Sequence, residues 1–306
     1  MKPHRGKVGG GRNGHDCINC SVCGFIHLLN PPSLEELRTF YEREFYQTAK
    51  PNYAMEEKQD EAWHTMLYQD RWDHVMEIAR FSGTRVRRIL DIGCGSGHFL
   101  RYLAEQDEVE RVLGIEPSNS MSSGVTSSRI EIIRQSWDDV EWGKFGKFDL
   151  VTAQFVLEHL LGPQDLVTLV ASDLLNEGGI FYVGVPNDFR EVQFRAAAKL
   201  NRPYYWIHYP DHINYFNFQS LPGVLRKRGL EPVGYDATYP MEGYLLHGLN
   251  YLDDPALGRR LHQERVTYEL SLDAVSRETR RATSRRWGSC GLGRDALIYA
   301  VKKGKW

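Results

Sequence analysis

An apolar run that ends in alternating glycines constrains this chain more than any other feature. Residues 89–92 are Ile-Leu-Asp-Ile, and the run Gly93-Cys94-Gly95-Ser96-Gly97 follows before a second apolar stretch. Glycine permits positive φ and lacks the Cβ that a bound nucleoside would meet, and a helix N-terminus presents free backbone N–H groups. The segment therefore predicts a strand, a ligand-binding loop and a helix, in that order.

Short apolar runs recur along the chain and alternate with helical stretches, as in a parallel sheet buried on both faces. The runs are residues 89–92, 112–115, 130–133, 150–153, 180–185, 232–235 and 296–301. They predict an α/β fold with a doubly wound, mostly parallel, seven-stranded Rossmann-like sheet, a small N-terminal Cys/His module and helical inserts.

Four regions follow from these patterns. Residues 1–14 are polar and glycine-rich, which predicts a disordered tail, and residues 15–32 form a candidate zinc-binding segment. Residues 33–84 predict a helical lid or lead-in that starts with a capping box at Ser33 and Glu36 and includes a helix over 56–81. Residues 85–306 form the main domain, with inserts at 186–218 and 240–293.

The charge and composition of the chain indicate which kinds of binding partner to expect. The formal net charge is -2, so no general attraction to nucleic acid is expected. We find neither a run long enough to span a membrane nor a signal peptide, which predicts a cytoplasmic protein without a membrane partner. Three of the five cysteines crowd one short segment, which favours a metal site over disulfides. The oligomeric state stays open.

Polar residues follow several of the predicted strands, where doubly wound sheets bind ligands. Asp91 is placed to accept a hydrogen bond from a ligand ammonium group, and Glu116 to accept both hydroxyls of a ribose. The remaining candidates for cofactor binding are Gly93, Cys94, Gly95, Gly97, Pro117, Ser136, Trp137, Gln154 and Phe155.

The order and spacing of the glycine loop, Glu116 and the segment Leu157-Glu158-His159 resemble class I S-adenosylmethionine-dependent methyltransferases. The resemblance implies that S-adenosylmethionine is the cofactor, that Glu116 binds its ribose and that Gln154 and Phe155 line its pocket. One rival is an NAD-dependent oxidoreductase, whose third loop glycine is expected at position 98, where this chain has His98. The other is a non-catalytic cofactor-binding or scaffold protein.

The cysteine cluster predicts a tetrahedral zinc site held by Cys17, Cys20, Cys23 and His27, with His15 as an alternative to Cys17. The region from residue 20 to residue 73 also resembles a bacterial methyltransferase subgroup with a zinc-binding-like N-terminus. A metal-free segment with buried thiols remains the alternative, and an iron–sulfur centre is less favoured because no Pro follows the run.

Methyl transfer needs an aligned acceptor and, for most acceptors, a base. Asp211 and His212 resemble an acid–His pair of sugar C-methyltransferases in which the His is the base, and His159 is the second candidate. Structural roles for both histidines stay open. Residues Asn187, Tyr215 and Glu242 are predicted to contact the substrate. The sequence thus predicts a methyltransferase for a small polar molecule, with a sugar or surface-glycan precursor as the hypothesis for the acceptor.

Overall fold

The structure is a computed structural model, and it describes residues 4–41, 59–118 and 127–304. The chain divides into two compact units. Unit 1 comprises Met1–Pro31, Val185–Gly223 and Tyr235–Leu297, and unit 2 comprises Pro32–Gly184, Val224–Gly234 and Ile298–Trp306.

The strands of the described chain form two sheets. Their bounds are β1 Gly6–Arg12, β2 His15–Cys20, β3 Phe25–Leu28, β4 Arg88–Ile92, β5 Arg111–Ile115, β6 Ile130–Ile133, β7 Phe148–Gln154, β8 Leu175–Pro186, β9 Asn214–Tyr215, β10 Leu230–Ala237 and β11 Asp295–Lys302.

The described α-helices are α1 Leu34–Thr39, α2 Glu61–Ser82, α3 His98–Ala104, α4 Pro163–Leu169, α5 Glu191–Leu200, α6 Leu221–Arg226, α7 Glu242–Leu246, α8 Pro255–Val275 and α9 Arg277–Ser289. Among the described residues, we find no helix with the length and apolar character needed to cross a membrane.

The larger sheet has seven strands in the order β10-β11-β8-β7-β4-β5-β6. Strand β4 pairs in parallel with β5 and β7, which pair in parallel with β6 and β8 respectively. The central strands are apolar on both faces, as Ile89 and Leu90 show with exposures of 0%. All seven predicted strands are present, and the α/β fold class is confirmed.

Helix α2 packs one face into unit 2. Trp63, Met66, Trp72, Val75 and Ala79 follow one another at intervals of three, six, three and four residues, and they are buried. Gly83, with φ 72°, ends the helix in the left-handed region. The predicted helix over 56–81 is found from residue 61 onward, and residues 56–58 lie outside the described residues. The capping box of Ser33 and Glu36 is present on α1.

The smaller sheet lies in unit 1 and has the strand order β1-β2-β3-β9. The predicted disordered tail, residues 1–14, is contradicted over Gly6–Arg12, because β1 pairs antiparallel with β2 from Gly6 opposite Cys20 to Arg12 opposite His15. The glycines serve packing, since a Cβ at Gly10 would collide with the ring of Tyr204. Hydrogen bonds between strand backbones need no apolar side chains. The polar, glycine-rich composition of this segment was therefore not sufficient to predict disorder.

The prediction of residues 85–306 as one domain with two inserts also needs correction. Both inserted regions cluster with the N-terminal hairpins in unit 1. Arg12 on β1 donates to the carbonyls of Tyr205 and Ile207 at 2.9 and 3.3 Å, and residue 28 on β3 donates its N–H to the carbonyl of Ile213. The N-terminal segment and the first insert therefore form one core.

Candidate functional site

The glycine loop between β4 and α3 is held by backbone hydrogen bonds. The N–H groups of Gly93 and Cys94 donate to the carbonyl of Ile115 at 2.8 and 3.1 Å, and that of Gly97 donates to the Cys94 carbonyl at 2.9 Å. Gly93, Gly95 and Gly97 have φ of 73°, 54° and 76°, a region that disfavours side chains. A Cβ added at Gly95 would meet no atom of the described chain within 4 Å, so the described residues leave the space above this glycine open.

Asp91 lies on β4, just before the glycine loop. Its carboxyl group is buried, and only 3% of the residue is exposed. Its Oδ1 accepts a hydrogen bond from Thr152 Oγ1 on β7 at 2.5 Å. The pKa of Asp91 is raised to about 7, mainly by burial and also by the charge of Glu116, although the hydrogen bond from Thr152 and the charge of Arg71 act to lower it. A cationic ligand group beside Asp91 would favour its ionised form.

Glu116 follows the last residue of β5, and its carboxylate hydrogen-bonds the glycine loop. Its Oε2 accepts from the N–H of Gly95 at 2.9 Å, and its Oε1 accepts from the N–H of Ser118 at 3.0 Å. The side chain is buried, and this burial raises its pKa. Each oxygen keeps a second lone pair, which suits the hydroxyls of a ribose.

The segment after β7 lies against the same loop. A Cβ at Gly93 would come within 2.5 Å of Val156 Cγ2, so the two segments are in contact. Phe155 adopts a φ of 55° and is 39% exposed, and its N–H donates to the Gly184 carbonyl at 2.8 Å. Gln154 accepts from the Tyr182 hydroxyl at 3.2 Å. A left-handed φ at a non-glycine residue, as at Phe155, costs about 1–3 kcal/mol of conformational strain, and such residues are typical of functional sites.

Three further cofactor candidates follow β5 and β6. Pro117 is exposed, while Ser136 and Trp137 are half-buried. The carbonyl of Trp137 accepts a hydrogen bond from the Trp142 indole N–H at 3.0 Å. The three residues lie where strands of the same parallel set end, so they remain candidates for the adenine side of a cofactor.

The first candidate base lies in unit 1. Nε2 of His212 is 3.6 Å from Oδ2 of Asp211, and both side chains are mostly buried. The ring of His208 contacts that of His212 edge-on with centroids 5.6 Å apart. Asp211 is placed to orient the imidazole and to stabilise its protonated form.

The second candidate base lies in unit 2, in the short turn Leu157–His159 after β7. Nε2 of His159 is 3.9 Å from Oε1 of Glu158, which is 1% exposed. The ring of Tyr41 packs edge-on against His159 at 5.6 Å. Each histidine therefore has a carboxylate neighbour within its own unit.

The three predicted substrate contacts belong to unit 1 and are buried, and they differ in what they touch. Tyr215 is 1% exposed and its hydroxyl donates to the His212 carbonyl at 2.8 Å, so its role in the structure is to position that segment and pack the core. The Asn187 amide donates to the carbonyls of Gly291 and Gly293. Glu242 accepts from Nη2 of Arg190 at 2.5 Å.

Four Cys/His side chains converge at the β2–β3 hairpin, and they differ from the predicted set in one member. Potential ligand atoms of His4, Cys20, Cys23 and His27 all lie within 4.8 Å of one another. Cys17 lies outside this group, and burial followed by the charge of Asp16 raises the pKa of its thiol to about 12. His4 therefore replaces Cys17 as the fourth candidate ligand.

The geometry of the group suits a tetrahedral ion. Sγ of Cys23 and Sγ of Cys20 lie 3.4 and 3.6 Å from Nδ1 of His4, against about 3.5 Å between sulfur and nitrogen ligands around zinc. Nδ1 of His27 hydrogen-bonds the Leu28 carbonyl at 2.7 Å, which leaves the buried Nε2 as the ring nitrogen that can face the cysteines and a metal ion. A second nitrogen held in this way is typical of metal-binding histidines.

Two functional candidates escaped sequence reasoning. His4 lies in the segment predicted to be disordered, and only the pairing of β1 with β2 brings it beside Cys20. Arg71 on α2 is 9% exposed, and its charge lowers the pKa of Asp91. The helical spacing of α2 places Arg71 next to Trp72 in the buried stripe, and a buried cation there was the available signal.

The fold places Asp91, the glycine loop and Glu116 at the carboxyl ends of the neighbouring parallel strands β4 and β5, and comparison with known proteins specifies the class of protein. The sequence pattern of the family described as a methyltransferase domain matches residues 63–234, more than half of the chain. The chain belongs to this family and is an S-adenosylmethionine-dependent methyltransferase of class I.

Similar proteins include two methyltransferases named for the compounds that they methylate or help to make. The ubiquinone biosynthesis O-methyltransferase of Ralstonia nicotianae is 26% identical over 211 residues, covering 65% of this chain and 79% of the relative. The trans-aconitate 2-methyltransferase of Acidovorax ebreus is 24% identical over 149 residues, covering 47% and 57%. The plantazolicin methyltransferase BpumL in complex with SAH has a similar fold, with a TM-score of 0.52 at 12% identity over 88% of this chain and 94% of that chain.

Proposed function

We propose that the protein methylates a small polar acceptor, with sugars and surface-glycan precursors as the first compounds to test. The proposal rests on one observation. Glu116 accepts a hydrogen bond from the N–H of Gly95 in the glycine loop, and the carboxyl group of Asp91, just before that loop, is buried. Relatives named for the methylation of small molecules support a small acceptor.

The residues near the glycine loop are proposed to bind different parts of S-adenosylmethionine. When bound, this cofactor would supply an electrophilic methyl carbon. Asp91 accepts a hydrogen bond from the ammonium group of the methionine moiety, and Arg71 faces its carboxylate. Glu116 holds the ribose hydroxyls. The open space above Gly95 and the left-handed φ of Phe155 fit a ligand that approaches the backbone closely. Because the carboxylates are buried, these contacts act in a low dielectric.

His212 is the proposed base, and Asp211 orients it. The pair would remove the proton of the acceptor, to which bound S-adenosylmethionine would supply its methyl group with S-adenosylhomocysteine as the leaving group, and a base of this kind contributes about 10²–10⁴-fold in rate. His159 with Glu158 is the second candidate, and it is favoured only if loss of the His212 imidazole leaves turnover intact. The hydrogen bond from Tyr215 to the His212 carbonyl holds the backbone of this segment in place.

We also propose a structural zinc ion held by His4, Cys20, Cys23 and His27. The four side chains match the ligand types and number of structural zinc sites. Burial raises the pKa of the Cys20 thiol, but hydrogen bonds from the Cys23 N–H, His27 and His4 outweigh it and bring the value to about 5. A thiolate is the form that binds zinc. The ion would tie the chain before β1 to the β2–β3 hairpin.

The test begins with calorimetric titration of the full-length protein with S-adenosylmethionine, S-adenosylhomocysteine and NADH. We expect the first two to bind, and Glu116→Gln to weaken both by about 10–100-fold because a charge-assisted hydrogen bond to the ribose is lost. Asp149→Asn is the matched control, since Asp149 accepts backbone N–H groups of Arg87 and Arg88 instead.

Acceptors are then screened with S-adenosylmethionine carrying a radiolabelled methyl group. Label is expected in sugars, sugar nucleotides or other small polar compounds. Binding of NADH alone would overturn the roles given to the glycine loop, and label recovered only in protein or nucleic acid would overturn the small acceptor.

A further inference from the structure

Asp91 has one neighbouring side chain on its sheet face that can hold its carboxyl group in place. In the parallel pairing of β4 with β7, Asp91 lies opposite Thr152, and in the pairing of β4 with β5 it lies opposite Gly114. Paired residues on neighbouring strands project to the same face of a sheet. Thr152 therefore lies beside Asp91 on one flank, and the glycine supplies no side chain on the other.

The Thr152 hydroxyl has one proton and two acceptors close to it. Its Oγ1 lies 2.5 Å from Oδ1 of Asp91 and 3.5 Å from the carbonyl oxygen of Leu90. The residue is 0% exposed, so this hydroxyl has to be hydrogen-bonded within the protein. Branching at Cβ restricts the rotamers of threonine, which fixes the position of Oγ1. The shorter distance favours donation to an ionised Asp91.

The groups around Asp91 determine which of its two forms the free protein holds. The pKa of Asp91 is raised to about 7, mainly by burial and against the hydrogen bond from Thr152, which lowers it. The charge of Glu116 after β5 also raises this pKa, and the charge of Arg71 on α2 lowers it. Cys94 in the glycine loop adds a neutral thiol, because burial raises its pKa. Near pH 6 the carboxyl group of the free protein is therefore mostly protonated.

The contact between Thr152 and Asp91 suits both forms of the carboxyl group, with the direction of donation reversed. A protonated Asp91 donates to Oγ1, and the hydroxyl then donates to the Leu90 carbonyl. An ionised Asp91 only accepts, and the hydroxyl donates to Oδ1. In both forms Thr152 holds Oδ1. Oδ2 of Asp91 accepts no hydrogen bond from the described residues, so it is the oxygen left for a ligand.

We propose that Thr152 is a positioning residue, whose hydroxyl fixes Asp91 so that Oδ2 receives the ammonium group of the cofactor, and that binding of this group expels the proton of Asp91. The inference rests on the proposed function, because it concerns the residue that holds Asp91 in its role toward S-adenosylmethionine. The proton leaves to solvent and the ammonium group keeps its own protons. The Thr152 hydroxyl turns from Leu90 to the new carboxylate, which faces one positive charge.

Calorimetric titration of the full-length protein with S-adenosylhomocysteine, which carries the same ammonium group, measures this proton. Binding enthalpies in two buffers of different ionisation enthalpy give the number of protons released. We expect the wild type to release about one proton more than Asp91→Asn near pH 6 and about the same number near pH 8, since the pKa of Asp91 lies at about 7. Any release that remains in Asp91→Asn belongs to other groups, such as Glu116, whose pKa burial also raises.

The two levels of the proposal fail differently. Equal proton release by the wild type and Asp91→Asn near pH 6, while both bind S-adenosylhomocysteine, overturns the proton step and leaves the cofactor roles of the glycine loop standing. A wild type that binds neither S-adenosylmethionine nor S-adenosylhomocysteine overturns the proposed function itself.

Thr152→Val removes the hydroxyl and keeps the branched shape of the side chain. We expect it to weaken S-adenosylhomocysteine binding by about tenfold or more near pH 7, because the ionised Asp91 loses a hydrogen bond. The pH at which half of the proton is released should rise by about one unit for the same reason. Thr152→Ser keeps the hydroxyl and should behave like the wild type in both respects. Wild-type affinity and pH profile in Thr152→Val would refute the positioning role.

Two controls separate this role from an effect on folding. Thr84→Val makes the same substitution in the same unit, where the hydroxyl donates to the Gly178 carbonyl at 2.7 Å, so it should lower the melting temperature and leave proton release unchanged. Adding Thr152→Val to Asp91→Asn should cost much less affinity than it costs the wild type, because the hydroxyl acts through the carboxylate. Equal losses in the two backgrounds would contradict the proposal.

Discussion

Asp91→Asn is expected to stabilise the free protein while weakening cofactor binding. In the folded chain the pKa of Asp91 rises from 3.8 to about 7, mainly because the group is buried. A raised carboxyl pKa means that the folded state binds a proton which the unfolded state has released, so the wild type loses stability as pH rises from about 4 to about 7. Asparagine has the same size, keeps an oxygen for the Thr152 hydroxyl and carries no charge to desolvate.

The magnitude follows from the size of that shift. At 1.36 kcal/mol per pKa unit, the raised pKa of Asp91 lowers the free energy of unfolding by about 1.5 kcal/mol near pH 5 and by about 4 kcal/mol near pH 8. The advantage of Asp91→Asn in the free energy of unfolding should therefore grow by about 2.5 kcal/mol between these two pH values. Affinity for S-adenosylmethionine should fall by about 10–100-fold, since the charge-assisted bond to the ammonium group is lost.

Chemical denaturation of both proteins without cofactor, at the two pH values, measures the effect. Asp149→Asn is the control with the same substitution in the same sheet. Asp149 accepts the N–H groups of Arg87 and Arg88 at 3.0 and 2.9 Å and the amide of Asn176 at 2.8 Å, so this variant should lose about 1–3 kcal/mol. An Asp91→Asn variant no more stable than the wild type near pH 8 would refute the reasoning.

Two further predictions concern the base and the metal. His212→Gln should lower kcat by about 10²–10⁴-fold with unchanged affinity for S-adenosylmethionine, whereas His159→Gln should change kcat little. A kcat deficit in His159→Gln alone would transfer the role to that residue. The full-length protein should contain one zinc per chain by elemental analysis, which Cys23→Ser loses and Cys17→Ser retains. Equal zinc content in the two variants would contradict the proposed ligand set.

The seven-stranded sheet was predictable because its determinants are local. Each strand is a short apolar run, and the glycine loop follows a strand and opens a helix within a few residues. The positions of Asp91 and Glu116 followed from the rule that ligands bind at the carboxyl ends of parallel strands. Gly95 lies against Glu116 for the same reason, since β4 and β5 are neighbours.

The organisation of unit 1 was not predictable, because it depends on contacts between residues far apart in sequence. Strand β9 has two residues, too few for any periodic pattern, and it pairs with β3 across nearly 190 positions, as His27 lies opposite Asn214. Register between β1 and β2 decides that His4, and not Cys17, lies beside Cys20. Neither fact leaves a trace in local propensity.

The carboxylates of the large sheet differ in how completely they are hydrogen-bonded, and this difference bears on their roles. Asp149 is used completely by backbone and side-chain donors, and a structural role accounts for it. Asp91, on the neighbouring strand, accepts one hydrogen bond in the described chain although it is almost entirely buried. A fold selected for stability alone would replace such a group with an apolar residue, and this supports the proposed role of Asp91 in holding the ammonium group of the cofactor.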